Sequence, residues 1–150
     1  MKTNQLLVST DLSLEALRPL GAVVELAERI GMEITLLHVV EDVLCAPPDA
    51  PLPPPVVGPA VPERLAQAKA LLEDEARRLG GRVPVRVDAV FSGDVPRTIA
   101  AYADEHDMAM IALSTHGRSG FRRLVMGSIA ENVIRHAHVP VLIVPPPSDE

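Results

Sequence analysis

Aromatic side chains are nearly missing from this chain: two Phe, one Tyr and no Trp among 150 residues. Proteins that grip single-stranded nucleic acid stack bases on aromatic faces, and there is little here to stack on. Positive charge is short as well. Fourteen Lys and Arg stand against twenty Asp and Glu, a net charge of −6, so DNA or RNA binding by bulk charge is not expected. A single cysteine, Cys45, rules out an internal disulfide and suits a reducing, cytoplasmic setting. No apolar run approaches the roughly 20 residues of a membrane span. The opening MKTNQLLVSTDLS carries one Lys and no long apolar region, which does not read as a signal peptide.

Several motifs are missing too. There is no G-x-x-x-x-G-K-[ST], and no G-x-G-x-x-G follows the first apolar run. Their absence sets aside P-loop and dinucleotide-binding chemistry. A phosphoacceptor receiver domain would want an acidic cluster after strand one and a Lys after strand five. One Asp and Pro145 stand in those places. No Ser/His/Asp or Cys/His arrangement stands out at motif spacing.

What is present alternates. Short apolar runs give way to amphipathic stretches, as in a chain of βαβ units with a mainly parallel sheet. Strands are expected over 5–10, 33–40, 84–91, 108–113 and 139–144. Helices are expected over 14–30, 63–79, from Asp94 onward, and over 128–137. Leu17, Leu20, Val24, Ala27 and Ile30 share one face of the first helix, with Gly31 as its stop. Asp94 is placed to cap the third helix, with Pro96 in its first turn. The last two strands are continuously apolar, as expected when both faces are covered. The architecture that follows is α/β: a doubly wound, five-stranded parallel sheet in the order 3-2-1-4-5, helices on both faces. That order is assumed, because spacing alone does not fix it. The 150 residues read as a single domain. One segment differs: residues 41–62 hold eight of the fifteen prolines. It reads as a long loop, either a passive linker or a lid or partner surface.

Open α/β sheets bind ligands beyond the carboxyl ends of their strands, where the winding reverses. In this order that point lies between strands one and four. Strand one ends at Ser9-Thr10-Asp11 and strand four at Leu113-Ser114. After Ser114 come His116, Gly117, Arg118, Gly120, Arg122 and Arg123, then Gly127-Ser128-Ile129 opening the last helix. A small, basic loop that leads into a helix N-terminus suits phosphate. Glycine admits close backbone approach, and the helix offers free N–H groups and a favourable dipole. The arginines either clamp phosphate oxygens or form a solvated face. Asp11 bonds ribose hydroxyls, sits in a metal's outer shell, or caps the first helix, a task Ser13 could share. His116 offers a titrating imidazole or is a plain loop residue. His38 reads as a satisfied core histidine, His106, His136 and His138 as surface residues, and Met108 and Met110 as core packing.

These residues resemble the universal stress protein family nearly end to end. The likeness rests on Ser9-Thr10-Asp11, on Leu36-Leu37-His38-Val39-Val40, on Ser92-Gly93-Asp94 and on the whole of 114–144. The family's nucleotide-binding branch carries G-x2-G-x9-G-[ST]. Gly117, nine residues and Gly127-Ser128 match its second half, while Ser114 replaces the first Gly. Ser9 stands where such proteins often have Pro. The resemblance implies a Rossmann-like fold of the adenine nucleotide alpha hydrolase type. It implies ATP, AMP or ADP with Mg²⁺ as cofactors. Asp11 would meet the ribose, Val39 would line the adenine pocket, and Leu113 and Ser114 would flank the nucleotide. Gly117, Gly127, Ser128 and Ile129 would hold phosphates. It also implies a homodimer through the strand at 139–144. The reading is a cytoplasmic, ATP-binding stress-response sensor or regulator, with an unknown protein partner. Two alternatives stay open: a nucleotide-free scaffold, and a slow Mg²⁺-dependent ATPase. No activated nucleophile pair stands out, so efficient catalysis is not expected.

Overall fold

The computed structural model describes residues 3–42, 60–114 and 127–147. Five strands form one sheet: β1 (Gln5–Ser9), β2 (Glu33–Glu41), β3 (Val85–Ser92), β4 (Met110–Ser114) and β5 (Val141–Val144). All are parallel, in the order β3-β2-β1-β4-β5. Between them run α1 (Leu14–Leu17), α2 (Leu20–Ile30), α3 (Val61–Arg78), α4 (Val95–Glu105) and α5 (Ser128–His136). Among the described residues no helix is long and apolar enough to cross a membrane.

Strand alternation divides the core between the two faces of the sheet. Leu6, Val8, Leu36 and Val40 pack with Val23, Val24 and Ala27 of α2 and Leu72 of α3. Leu7, Leu37, Val39, Ile111 and Leu113 pack with Ile99 and Ala103 of α4 and Val133 of α5. Leu6, Leu7, Leu36 and Leu37 are fully buried. Burial of each such side chain stabilises the fold by about 2–3 kcal/mol.

Local chemistry sets the element ends. The single helix expected over 14–30 is two helices, because Pro19 sits between them as the N-cap of α2. Proline has no N–H to give the preceding turn, and its ring crowds the carbonyl four residues back. Val23 replaces Ile30 on the buried face, and Ile30 is exposed. Gly31 closes α2 with φ 69°, a left-handed position that glycine takes without penalty. Asp94 caps α4 as expected, its side chain accepting the Arg97 N–H at 3.2 Å. Strand β4 starts at Met110, later than the apolar run suggests. Asp107 takes φ 52°, and the Met108 N–H returns to the Ala103 carbonyl at 2.8 Å, so these residues close α4 instead. Met108 and Met110 are both core residues, on opposite faces. The Pro-rich segment is shorter than 41–62: Glu41 ends β2, and Val61 and Pro62 lie in the first turn of α3. Residues 43–59, with Cys45, lie outside the described residues.

Candidate functional site

The topology brings the ends of β1 and β4 together. Leu6, Leu7 and Val8 pair with Met110, Ile111 and Ala112. One step further along each strand lie Ser9 and Leu113, and one more, Thr10 and Ser114. The two sets of sequence-predicted residues therefore meet at the carboxyl edge of the sheet, where the strand order reverses.

The turn after β1 is heavily bonded. Its backbone leaves the sheet after the Thr10 N–H donates to the Leu37 carbonyl at 3.0 Å. Thr10 is 5% exposed, and its hydroxyl accepts the Leu12 N–H at 3.1 Å. Leu12 holds φ 63°. Asp11 Oδ1 accepts the Ser13 N–H at 2.9 Å. The Ser13 hydroxyl accepts the Ala16 N–H at 3.2 Å and caps α1. Of the two candidates for that cap, Ser13 is the one used, and Asp11 braces the turn before it. Ser9 and Asp11 are half-buried at the carboxyl end of β1.

After β4, α5 begins at Gly127 with no side-chain cap. Its first-turn N–H groups are the ones a helix leaves without partners. Gly127 has φ −61° and ψ 155°, extended backbone open to any residue, so its conformation does not call for glycine. Ser128 is exposed and Ile129 is 41% exposed. Ser114 is half-buried. Val39 and Leu113 are each 5% exposed, in the core that faces α4 and α5. His116, Gly117, Arg118, Gly120 and Arg122 lie outside the described residues.

A cleft of about 590 Å³ adjoins the start of α5. Its walls are Glu41 at the end of β2 and Asp42 after it, the stretch Gly93 to Arg97 at the start of α4, and Ser128, Ile129, Asn132 and His136 of α5. Asp94 pairs with Arg97 at 3.4 Å, and His136 Nδ1 lies 2.7 Å from the Asn132 carbonyl. Ser128 and Ile129 are expected site residues; the polar groups of Glu41, Asp42, Asp94, Arg97, Asn132 and His136 were not singled out from sequence as part of a site. Their signal was positional: Glu41 and Asp42 stand at the carboxyl end of β2, Asp94 and Arg97 follow that of β3, and Asn132 and His136 lie on the helix after β4, where the same topological rule applies. Among the described residues no three His, Cys, Asp or Glu side chains gather to hold a metal ion.

Against this geometry, the model of the universal stress protein family matches residues 2–145. A universal stress protein of Methanocaldococcus jannaschii is 27% identical over 142 residues, covering 94% of this chain and 79% of its own. Universal stress protein UspA from Lactobacillus plantarum superposes with a TM-score of 0.72 at 24% identity, covering 96% of this chain and 99% of that one. The Archaeoglobus fulgidus universal stress protein in complex with dAMP superposes at 0.58 with 21% identity, covering 96% and 99%.

Proposed function

The chain belongs to the universal stress protein family, and from that premise we propose that it binds an adenine nucleotide, ATP with Mg²⁺ in particular, and acts as a homodimeric sensor or regulator. One observation carries the reading: α5 starts without a capping side chain, at a glycine whose backbone angles do not require glycine. The backbone angles alone do not account for a glycine there, which fits a ligand that comes close to the backbone. A helix start with free N–H groups favours phosphate. The Archaeoglobus relative bound to dAMP supports the adenine half of the proposal.

In this reading Gly127, Ser128 and Ile129 hold phosphates, Asp11 meets the ribose, and Val39, Leu113 and Ser114 border the base. Ser9 and Thr10 shape the floor. His116, Gly117, Arg118, Gly120 and Arg122 complete the phosphate loop. Mg²⁺ fits as an ion carried on phosphate oxygens and water, since the described side chains form no cage for it. The exposed edge of β5, with Val141–Val144 all partly exposed, supports pairing with a second copy.

The test is calorimetric titration with ATP, ADP and AMP, with and without Mg²⁺, together with mass spectrometry of any ligand released on denaturation. Saturable binding by ATP that Mg²⁺ strengthens is the expected result. No binding by any of the three overturns the reading.

A further inference from the structure

We propose that His38 is a positioning residue for this site: its imidazole braces the turn that presents Asp11. The inference rests on the nucleotide reading above and adds a residue to it. His38 Nδ1 lies 2.8 Å from the Thr10 carbonyl. A carbonyl only accepts, so Nδ1 carries the proton and donates. The bond takes over where the β1–β2 ladder stops. Thr10 N–H is paired with the Leu37 backbone, and the next carbonyl of the chain goes to the side chain of Leu37's neighbour.

The turn needs such a brace. Leu12, the residue after Asp11, sits at φ 63°, and a branched side chain in the left-handed region costs about 1–2 kcal/mol. The bonds from Thr10 Oγ1 to Leu12, from Asp11 Oδ1 to Ser13 and from Ser13 Oγ to Ala16 all lie within the turn and its helix. They shape it but do not anchor it. The Leu37 and His38 bonds tie it to β2, across 28 residues of sequence in the case of His38. His38 is half-buried on the sheet face of Leu36 and Val40, while Val39 points into the opposite core. One stretch of β2 thus supplies a wall to the proposed base pocket and an anchor to the proposed ribose contact.

The test compares His38→Ala, His38→Asn and His38→Gln with wild type. The amide N–H of Asn falls where Nδ1–H stands; that of Gln lies one carbon further out. If loss of the brace leaves the competent turn populated about one-tenth of the time, apparent ATP affinity falls about tenfold. That loss is expected for Ala and Gln, with Asn restored to within about threefold of wild type. Amide exchange at Leu12 and Ser13 should accelerate in Ala and Gln and stay slow in Asn. Equal ATP affinity in wild type and a folded Ala variant overturns the proposal, as does an Asn variant as weak as Gln. Should Ala fail to fold, the Asn–Gln pair decides. A wild type that binds no nucleotide overturns the nucleotide reading itself. Unchanged Leu12 and Ser13 exchange in Ala or Gln overturns the brace whatever the ligand.

Discussion

Gly127→Asp should make the protein more stable and a worse nucleotide binder, and the opposition of those signs is what makes it diagnostic. Gly127 is the N-cap of α5, at φ −61° and ψ 155°, angles that Asp adopts at an N-cap without strain. The new carboxylate can accept N–H groups of the first turn, to which Gly127 offers no side chain. A cap better than glycine adds a few tenths of a kcal/mol, and a negative charge at a helix start about 0.3–1 kcal/mol more. For a chain of this size each kcal/mol raises Tm by about 2–4 °C. The same carboxylate takes the donors that a phosphate would use and adds like charge beside it. Two unit charges about 4 Å apart repel by about 4 kcal/mol at an effective dielectric of 20. Screening near the surface reduces this, and a loss of about 2–3 kcal/mol, roughly 30- to 150-fold in Kd, is expected. Gly127→Val separates sterics from charge: it adds bulk without a cap, and should weaken ATP about tenfold, or 1.4 kcal/mol, with no gain in Tm. Calorimetry and thermal unfolding on the same preparations read both quantities. A Gly127→Asp protein that is more stable and binds ATP as tightly as wild type refutes the phosphate assignment.

Tyr102 donates to Asp88 Oδ2 at 2.9 Å, and burial, then that hydrogen bond and the Asp88 charge, hold its phenol above the ordinary value. Folding therefore favours the protonated ring: its contribution is whole below pH about 10 and is lost as pH rises beyond it. Tyr102→Phe should cost about 1 kcal/mol at neutral pH, since Asp88 keeps Lys69 and the Ala89 N–H. It should also flatten the alkaline fall in stability, and an unchanged alkaline slope in pH-dependent unfolding would contradict this. Leu37→Ala, at a fully buried position in β2, should lower unfolding free energy by about 2–5 kcal/mol; a denaturant midpoint shift with an unchanged m-value checks it. Leu142→Asp on the β5 edge should give monomer or aggregate in sedimentation if that edge pairs two copies. A soluble dimer would place the interface elsewhere.

The legible parts of the chain are those governed by local rules. Alternation of apolar runs with amphipathic stretches marks strands and helices, and continuous apolarity in β4 marks a buried parallel strand. Asp94, Pro96 and Gly31 behave as cap, first-turn and stop residues because those roles depend on the backbone within a few positions. The strand order was an assumption that the sheet bears out. Where the expectation slipped, a second local rule outranked periodicity. Pro19 divides a helix whose apolar spacing continues across it. Asp107 closes α4 by taking positive φ, and so delays β4. Neither residue breaks the hydrophobic pattern, so a reading led by that pattern passes over both.

The crevice resists such reading for a different reason: its contacts join residues far apart in sequence. Ser9, Thr10 and Asp11 announce a polar strand end, but not that Thr10 is buried or that its carbonyl goes to an imidazole 28 residues away. His38 looks like core because its neighbours are core, Leu36 and Val40 on its own face and Leu37 and Val39 on the other. What it satisfies is a turn whose next residues depart from ordinary backbone. Leu12 at positive φ is a local conflict, and a chain keeps such a conflict only where surrounding bonds over-determine it. Gly127 is the complementary case. Its backbone angles are ordinary, so they do not by themselves call for glycine, and the proposed phosphate gives one reason for the missing Cβ. The strained Leu12 and the uncapped start at Gly127 lie on the elements that flank the switch point between β1 and β4. Each alone is a curiosity of one turn. Together they stand where parallel sheets take their ligands, and that placement is what the proposed nucleotide reading rests on.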